Sequence, residues 1–483
     1  MASSTIAVIG AGFSGTLLAL HLLRRCPPST RVLLIERNRR FGRGTAYATG
    51  NANHLLNVPA ARMSAFHDRP GDFLDWLQQH PDAAREADSM PPSLAGGSFL
   101  PRRVYGAYVR SLLKQELRGD PRRRLELYSG EVSTIDNRGQ PLRIVLDRDR
   151  VLEADYAMLA IGNFPPEPMK IDDPSFYASP FYRPDPWAQD ALADLDPDAP
   201  LLLIGTGLTT VDLVISLLDQ GHRGPIHALS RRGLLPHEHL SAVPQAAVAR
   251  VPENVPVRVL ALLRFLRAQA QAVATAGGDW RTVIDELRPL TQDLWQVMPL
   301  EERGRFLRHL RPWWDVHRHR MAPEVATRIG AACESGQFRR YAGRIRACRI
   351  EDDAVAVTYR PKRQDSLAGL RVARVINCAG PGADYDRIAD PLVRRLLADG
   401  VVRPDPLRLG LDVTQGCALL HRDGSISRRL FAVGPVTKGA FWEITAVPDI
   451  RRQCEQLAQH LAGLVRPAAL PEPPRKQVLG YAI

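Results

Sequence analysis

Thr5-Ile6-Ala7-Val8-Ile9-Gly10-Ala11-Gly12-Phe13-Ser14-Gly15 is the stretch that decides the fold. Thr5 to Ile9 is apolar and β-branched and reads as a short, fully buried strand. Gly10-x-Gly12-x-x-Gly15 then turns the chain into a helix to about Arg25, with Arg24 and Arg25 in its last turn and Pro27-Pro28 beyond. A second strand, Arg31 to Ile35, closes on Glu36. Each spacing has a physical reason. Gly10 permits the tight turn, Gly12 lets backbone approach a pyrophosphate, and Gly15 lets helix and strand pack closely. Glu36, 21 residues after Gly15, is placed to accept hydrogen bonds from a ribose. The helix N-terminus offers free N–H groups and a positive dipole end to phosphate. A glycine-rich turn alone would fit many α/β proteins. The strand, helix, strand and acid around it select a dinucleotide-binding unit.

Working outward, 483 residues leave room for two to four domains. The 64 Lys and Arg against 52 Asp and Glu give a net charge of +12, a bias toward anionic ligands in a chain rich in both signs. No compact Lys/Arg tract with interleaved aromatics occurs, so no nucleic-acid partner is expected. Six cysteines over this length do not make a disulfide scaffold, which points to a reducing compartment, the cytoplasm. The first residues lack the basic start of a secretory leader, and no apolar run reaches membrane-spanning length.

After Glu36 the chain is rich in Gly and Arg as far as Tyr47, and His54 to Ser64 has neither a helical nor a strand period. It reads as ordered loop, where sites are built. Phe73 and Trp76 sit at helical spacing and are expected in the core. Residues 81–98 read as a surface loop. Val104 to Leu117 read as an amphipathic helix with Tyr105, Tyr108, Leu112 and Leu113 inward. Four short alternating runs between Leu125 and Tyr156 predict a meander. The strand Tyr156–Ile161 stops at Gly162, where backbone can come close to a ligand.

Eight prolines between residues 164 and 198 mark a crossover. Leu201 to Ile204 then opens a second copy of the first pattern, with Gly205-Thr206-Gly207, Thr210 in place of the third glycine, and a partner strand Ile226–Ser230. Looser helix–strand packing is expected at Thr210. This strand ends in Ser230-Arg231-Arg232 where the first ends in an acid. An acid suits a free 2′-hydroxyl, whereas Ser-Arg-Arg suits a 2′-phosphate, hence NADPH over NADH. Solvated arginines are the plainer alternative. Strand-like runs at 338–345, 354–359 and 372–377, ending on Gly380, mirror Leu125 to Gly162, so the chain reads as a duplication at domain scale. The second half carries an Arg-rich helical insert at about 243–335. Its His317 and His319 cannot share a helical face, and no metal site is expected. Past Gly380 the chain should return to the first domain through a strand ending at Gly434-Pro435, a loop holding Trp442 and Glu443, and a last helix from about Pro448.

The motifs Gly10 to Gly15, Gly44-Thr-Ala-Tyr47, Leu56-Asn57-Val58-Pro59 with Met63-Ser64, Gly205-Thr-Gly207, Ser230-Arg231-Arg232-Gly233, and Gly434-Pro435 with Trp442-Glu443 carry a resemblance. The chain resembles the bacterial FAD-NAD(P)-binding flavoproteins related to N-hydroxylating flavin monooxygenases. The resemblance implies an α/β protein with two Rossmann-like domains, each with a β-meander. An FAD domain at 1–165 and 382–483 would be interrupted by an NADPH domain at 195–381. It implies FAD contacts at Gly10, Gly12, Phe13, Ser14, Gly15, Glu36, Arg37, Asn57, Met63, Ser64, Gly162, Gly434 and Trp442. It implies NADPH contacts at Gly205, Gly207, Ser230, Arg231 and Arg232. Two departures stand out. Gly434-Pro435 replaces the Gly-Asp end common in disulfide reductases. The Phe-x-Gly-x-x-x-His fingerprint of class B monooxygenases is missing, since Phe176 to Trp187 holds neither Gly nor His.

No closely spaced cysteine pair offers a dithiol relay. The expected activity is a flavin monooxygenase acting on a small molecule. An NADPH oxidase or reductase serving a diffusible acceptor stays open, and so does a nucleotide-sensing protein without turnover. No general acid or base stands out. Glu443 and Arg62 are placed near the expected flavin, with salt-bridge roles equally open to them.

Overall fold

The structure, a computed structural model, describes residues 4–85, 97–147, 149–240 and 255–465. The buried strand Thr5–Ile9 is the middle of a six-stranded sheet. In spatial order the strands are Ala418–Leu420, Ile426–Ala432, Tyr156–Leu159, Thr5–Ile9, Arg31–Glu36 and Leu125–Ser129. All neighbours are parallel except the first pair. Parallel sheets are covered on both faces, and Ile6, Ala7 and Val8 are accordingly 0% exposed. The helix Phe13–Arg25 lies on one face, and the last helix, Val447–Leu464, packs against it. Leu457 and Leu461 of that helix each contribute about 2 kcal/mol by burial. Arg25 and Glu455 pair at its edge.

The first meander has three strands, Val132–Asp136, Leu142–Leu146 and Arg150–Ala154, in a sheet of their own. The fourth expected strand, Leu125–Ser129, joins the parallel sheet, with Leu125 opposite Val32. Gly130 makes the break. Its φ of +154° turns the chain out of the sheet, and a Cβ there would lie 2.4 Å from the Asp147 carboxylate. Residues 81–98 are only partly described. Pro81–Arg85 is a short helix, and 86–96 lie outside the described residues. Phe73 and Trp76 are buried with Tyr105 and Tyr108.

The second sheet has seven strands: Ala368–Val372, Ala354–Pro361, Phe338–Glu351, Ile226–Ser230, Leu201–Ile204, Arg374–Asn377 and Tyr182–Arg183. The strand Phe338–Glu351 pairs parallel with Ile226–Ser230 and then antiparallel with Ala354–Pro361, so this meander stays fused to its sheet. Helix Leu208–Asp219 covers one face, and Thr210 is 0% exposed on it. Helix Pro323–Glu334 packs there too, through Val325, Ile329 and Ala332. That helix therefore belongs to the Rossmann layer, and the insert ends earlier than residue 335. The insert proper runs from Val259–Thr275 to Arg311–Arg318, and its apolar side meets Leu407, Leu409 and Trp442 of the C-terminal return. Residues 243–254 of the expected insert lie outside the described residues.

The two Rossmann-like units meet at a buried polar junction. Arg102, at the start of helix Arg102–Gly119, makes a two-pronged ion pair with Asp212 of the second unit, at 2.7 and 3.2 Å. Beside it, His54 Nε2 lies 2.8 Å from Ser216 Oγ and its Nδ1 lies 2.7 Å from Thr49 Oγ1. Burial lowers the His54 pKa against the opposing pull of Asp212. Removing one charge of a buried pair leaves the other without its partner. Asp212→Asn should cost about 2 kcal/mol of stability, the scale of a hydrogen bond to a charged group. Chemical denaturation of the variant checks this, and an unchanged midpoint would contradict it.

Candidate functional site

At the first turn, Gly10 has φ +101°, and a Cβ there would sit 2.3 Å from Ala160 O. Gly10 N–H donates to Ile35 O at 2.9 Å. A Cβ on Gly15 would lie 1.8 Å from Gly10 O. These two glycines are required by the protein itself. Gly12 is different, because its Cβ would meet only Gly44 Cα, at 3.5 Å, an ordinary contact. Gly12 is also the N-cap of its helix, where no side chain caps the free N–H groups and no acid lies in the first turn. The space and the donors face outward, where an anion fits.

The second turn repeats this. Gly205 has φ +121°, its Cβ would lie 2.5 Å from Cys378 O, and its N–H donates to Leu229 O at 2.8 Å. A Cβ on Gly207 would meet nothing within 4 Å, and that helix also starts without a side-chain cap. The cradle is duplicated down to the glycine that no protein atom requires.

A cavity of about 790 Å³ opens along the first turn. Gly10, Gly12, Phe13, Ser14, Glu36, Arg37 and Gly162 line it, and its far end reaches Pro435, Thr445 and Ile450. Arg40 and Arg43 add positive charge to the wall. Glu36 Oε2 accepts from Ala11 N–H at 2.9 Å, which ties the strand-end acid to the glycine turn. Arg37 is shared between Glu131 and Asp390, at 3.4 and 3.5 Å. Gly434 lies behind the wall, where a Cβ would be 2.5 Å from Ser14 Oγ, and its N–H donates to Gln453 Oε1 at 2.7 Å. Gly15 lies beneath the turn.

Four further expected contacts are not on this wall. The Ser64 hydroxyl closes its own turn, donating to Arg69 O at 2.6 Å and accepting from Phe66 N–H at 3.1 Å. Met63 is 2% exposed and packed in the core. Asn57 offers its carbonyl to His239 Nε2 at 3.1 Å. Trp442 is buried in the insert's apolar cluster, stacked on Trp295 with ring centroids 4.7 Å apart. His54 and Thr49, which the sequence reading passed over, do line the cavity. A polar pair at i and i+5 in a loop carries no periodic signal.

At the end of the second partner strand, the Ser230 hydroxyl is engaged in its turn, bonding to Thr206 Oγ1 and accepting from Gly233 N–H, both at 2.9 Å. Arg231 is exposed. Burial of its inner part lowers its pKa, and so do Arg344, Arg311 and Arg232 nearby. Arg232 donates to His309 O at 3.2 Å and stands over the Trp313 ring. Among the described residues, no carboxylate pairs with Arg231 or Arg344. Four arginines, one of them paired with Asp315 at 3.5 Å, are gathered at this strand end.

Glu443 was expected near the flavin. It is 5% exposed with φ +63° and binds the insert, accepting from Arg318 Nε at 3.1 Å and from Trp314 Nε1. Burial alone would raise its pKa, but Arg318, His319 and the Trp314 N–H outweigh it, so its pKa falls below the ordinary 4.5. A carboxylate with a lowered folded pKa stabilises the fold above its unfolded value, and that contribution is lost as pH falls through the folded one. Stability should therefore decline below pH 4.5. Glu443→Gln should lose about 2 kcal/mol at neutral pH and flatten that acid limb. Urea midpoints measured across pH check both, and an unchanged acid limb would contradict the assignment.

The cysteines give no relay. All six are free. Cys26, Cys348, Cys378, Cys417 and Cys454 are buried, and burial pushes the Cys348 and Cys417 thiols each up to about 12. Among the described residues, no cluster of His, Cys, Asp and Glu could hold a metal ion, and no helix is long and apolar enough to cross a membrane.

Residues 7–164 match a family described as FAD-NAD(P)-binding. No curated protein sequence matches the chain. Among solved structures, the fold is similar to an ornithine N-hydroxylase from Kutzneria sp. 744, at 13% identity over 96% of this chain and 100% of that one, with a TM-score of 0.64. It is similar to the ornithine hydroxylase from Pseudomonas aeruginosa, at 14% identity over 96% of this chain and 100% of that one, with a TM-score of 0.65. The L-lysine 6-monooxygenase from Pseudomonas syringae gives 14% identity, the same coverage of 96% and 100%, and a TM-score of 0.65. At these identities the likeness is one of fold.

Proposed function

We propose that the protein is an FAD-dependent, NADPH-consuming oxidoreductase, a flavin monooxygenase that oxygenates a small molecule. One observation carries the reading. Gly12 and Gly207 hold the corresponding positions in two strand–turn–helix cradles, and no atom of the protein requires either to be glycine. Two such cradles in one chain call for two dinucleotides. The residues fit FAD at Gly10, Gly12, Gly15 and Glu36, in the cavity that Phe13, Ser14, Arg37 and Gly162 complete. They fit NADPH at Gly205 and Gly207, with Arg231 and Arg232 on the 2′-phosphate and Ser230 shaping the turn. The Kutzneria ornithine N-hydroxylase holds reduced FAD, NADP+ and L-ornithine on the same fold.

Bound FAD supplies the redox chemistry between nicotinamide and dioxygen. This chain's own residues position it. The bare helix N-terminus at Gly12 meets the pyrophosphate, Glu36 takes the ribose, and Pro435 and Thr445 close the far end. Gly434 backs that end against Ser14, while Asn57, Met63, Ser64 and Trp442 serve the packing around them. The buried cysteines favour oxygen over a thiol route, because a thiol held well above its ordinary pKa is a poor nucleophile. Cysteines held outside any disulfide suit the cytoplasm, and the scattered charge suits a small-molecule partner over nucleic acid.

The test is direct. The purified protein should be yellow, bleach with NADPH under anaerobic conditions, and recolour on admission of oxygen. Replacing all six cysteines by Ala or Ser should leave both steps intact. Loss of reoxidation with reduction preserved would favour a thiol route. Quantitative peroxide release with every substrate offered would move the reading to an NADPH oxidase. A colourless protein that binds nucleotides without reduction would be a sensor.

A further inference from the structure

We propose that the helical insert is the substrate site, and that its substrate has an apolar body with a neutral or anionic head and no free ammonium group. This rests on the monooxygenase reading above and names its substrate class. The insert and Trp442 line a half-open cavity of about 620 Å³, within the range that takes a small organic ligand. Trp280, Trp295, Trp313, Trp314 and Trp442 line it, five of the seven tryptophans in the chain. Leu262, Leu266 and Val283 fill much of the remaining wall.

Its polar members decide the chemistry. They are Arg267, Thr291 and His317, apart from the indole N–H groups, and no carboxylate is among them. The Thr291 hydroxyl donates to Leu287 O at 3.1 Å, and His317 Nδ1 lies 2.7 Å from Trp313 O. Trp295 Nε1 donates to Gly439 O at 2.7 Å, whereas Trp442 Nε1 is buried without a partner. An ammonium group entering this space would lose its water and find no counter-ion, a cost of several kcal/mol. An alkyl chain or ring system loses nothing polar, and each buried methylene contributes about 0.8 kcal/mol. The fold relatives named for ornithine and lysine act on amines, so this chain departs from them at the substrate.

The cavity is also next to the cofactor cleft. Trp442 lines the apolar cavity and Thr445 lines the dinucleotide cavity. Three residues of chain cannot hold their Cα atoms more than about 11 Å apart. Glu443, between them, faces neither cavity and fastens Trp314 and Arg318, which holds the shared wall in place.

The five tryptophans provide a readout that needs no turnover. Full-length protein is titrated with N-phenyl-1-naphthylamine, a neutral apolar probe that accepts energy from tryptophan. Dodecanoate, dodecan-1-ol, dodecylamine, L-ornithine and L-lysine are then offered as competitors. Saturable energy transfer is expected, with displacement by dodecan-1-ol and dodecanoate. Dodecylamine should be at least about tenfold weaker than dodecanoate, and the two amino acids should have no effect. Ala270→Phe, in the cavity wall, should weaken the probe at least about tenfold with flavin content unchanged. If that variant does not fold, Leu263→Glu, at a half-buried wall position, should reverse the order of dodecanoate and dodecylamine. No saturable transfer, displacement by ornithine, or indifference to both folded variants would overturn the proposal. Flavin reduction by NADPH is followed in the same sample. Reduction without probe binding overturns the substrate site alone. Probe binding without reduction overturns the oxidoreductase reading and with it the assignment of the cavity to a substrate.

Discussion

Gly12→Val is expected to yield a folded protein stripped of flavin. The two neighbouring glycines give the contrast. A side chain at Gly15 would overlap Gly10 O at 1.8 Å, and one at Gly10 would overlap Ala160 O at 2.3 Å. Those contacts are backbone on backbone within the central layer, so Gly15→Val and Gly10→Val should fail to fold. At Gly12 the nearest protein atom to an added Cβ is Gly44 Cα at 3.5 Å, which a side chain tolerates. The isopropyl group then occupies the space in front of the uncapped helix N-terminus, where the pyrophosphate must come. FAD affinity should fall by at least about a thousandfold, about 4 kcal/mol. Flavin absorbance per mole of protein and circular dichroism on the same sample check this. A folded Gly12→Val protein with a full complement of flavin would remove FAD from this turn.

Those glycines were legible because the information is local. Strand, turn, helix and strand follow one another within residues 5–36 and again within 201–230, so the period and the punctuation lie on one stretch of chain. What was not legible depends on distant partners. Leu125–Ser129 alternates like the strands after it, yet it pairs with Arg31–Glu36, and only the turn at Gly130 separates it from the meander. Trp442 sits near Gly434 in sequence, but the rings it packs against come from residues 295 and 306. Ser64 carries a hydroxyl that a cofactor could use, and its own loop uses it instead. Glu443 faces Arg318, and nothing in the spacing of residues 318 and 443 announces that pair. His54 carries no signal until helix Leu208–Asp219 is laid beside it.

Replacing both Arg231 and Arg232 by Ala is expected to abolish the preference for NADPH over NADH. The structure strengthens the sequence argument in one respect: the two side chains do not stand alone. Arg344 approaches from the long strand Phe338–Glu351 and Arg311 from the last helix of the insert. Like charges held together raise the free energy of the empty site, and after burial of its inner part it is Arg344, Arg311 and Arg232 that lower the Arg231 pKa. A 2′-phosphate relieves that repulsion at the moment it binds, which is why such a cluster discriminates against a free hydroxyl. Each charge-assisted contact is worth about 1.5–3 kcal/mol, so losing two should raise the NADPH requirement by roughly a hundredfold or more. The NADH requirement should change little, or fall slightly as the repulsion is removed. Arg344→Ala provides a graded intermediate, because it lowers the local charge and leaves the strand end intact. Flavin reduction rates measured against both nucleotides, at low and high salt, check the prediction. The NADPH advantage should shrink as salt screens the exposed part of the cluster. Equal use of the two nucleotides by the unmodified protein would refute the assignment of this cluster to the 2′-phosphate.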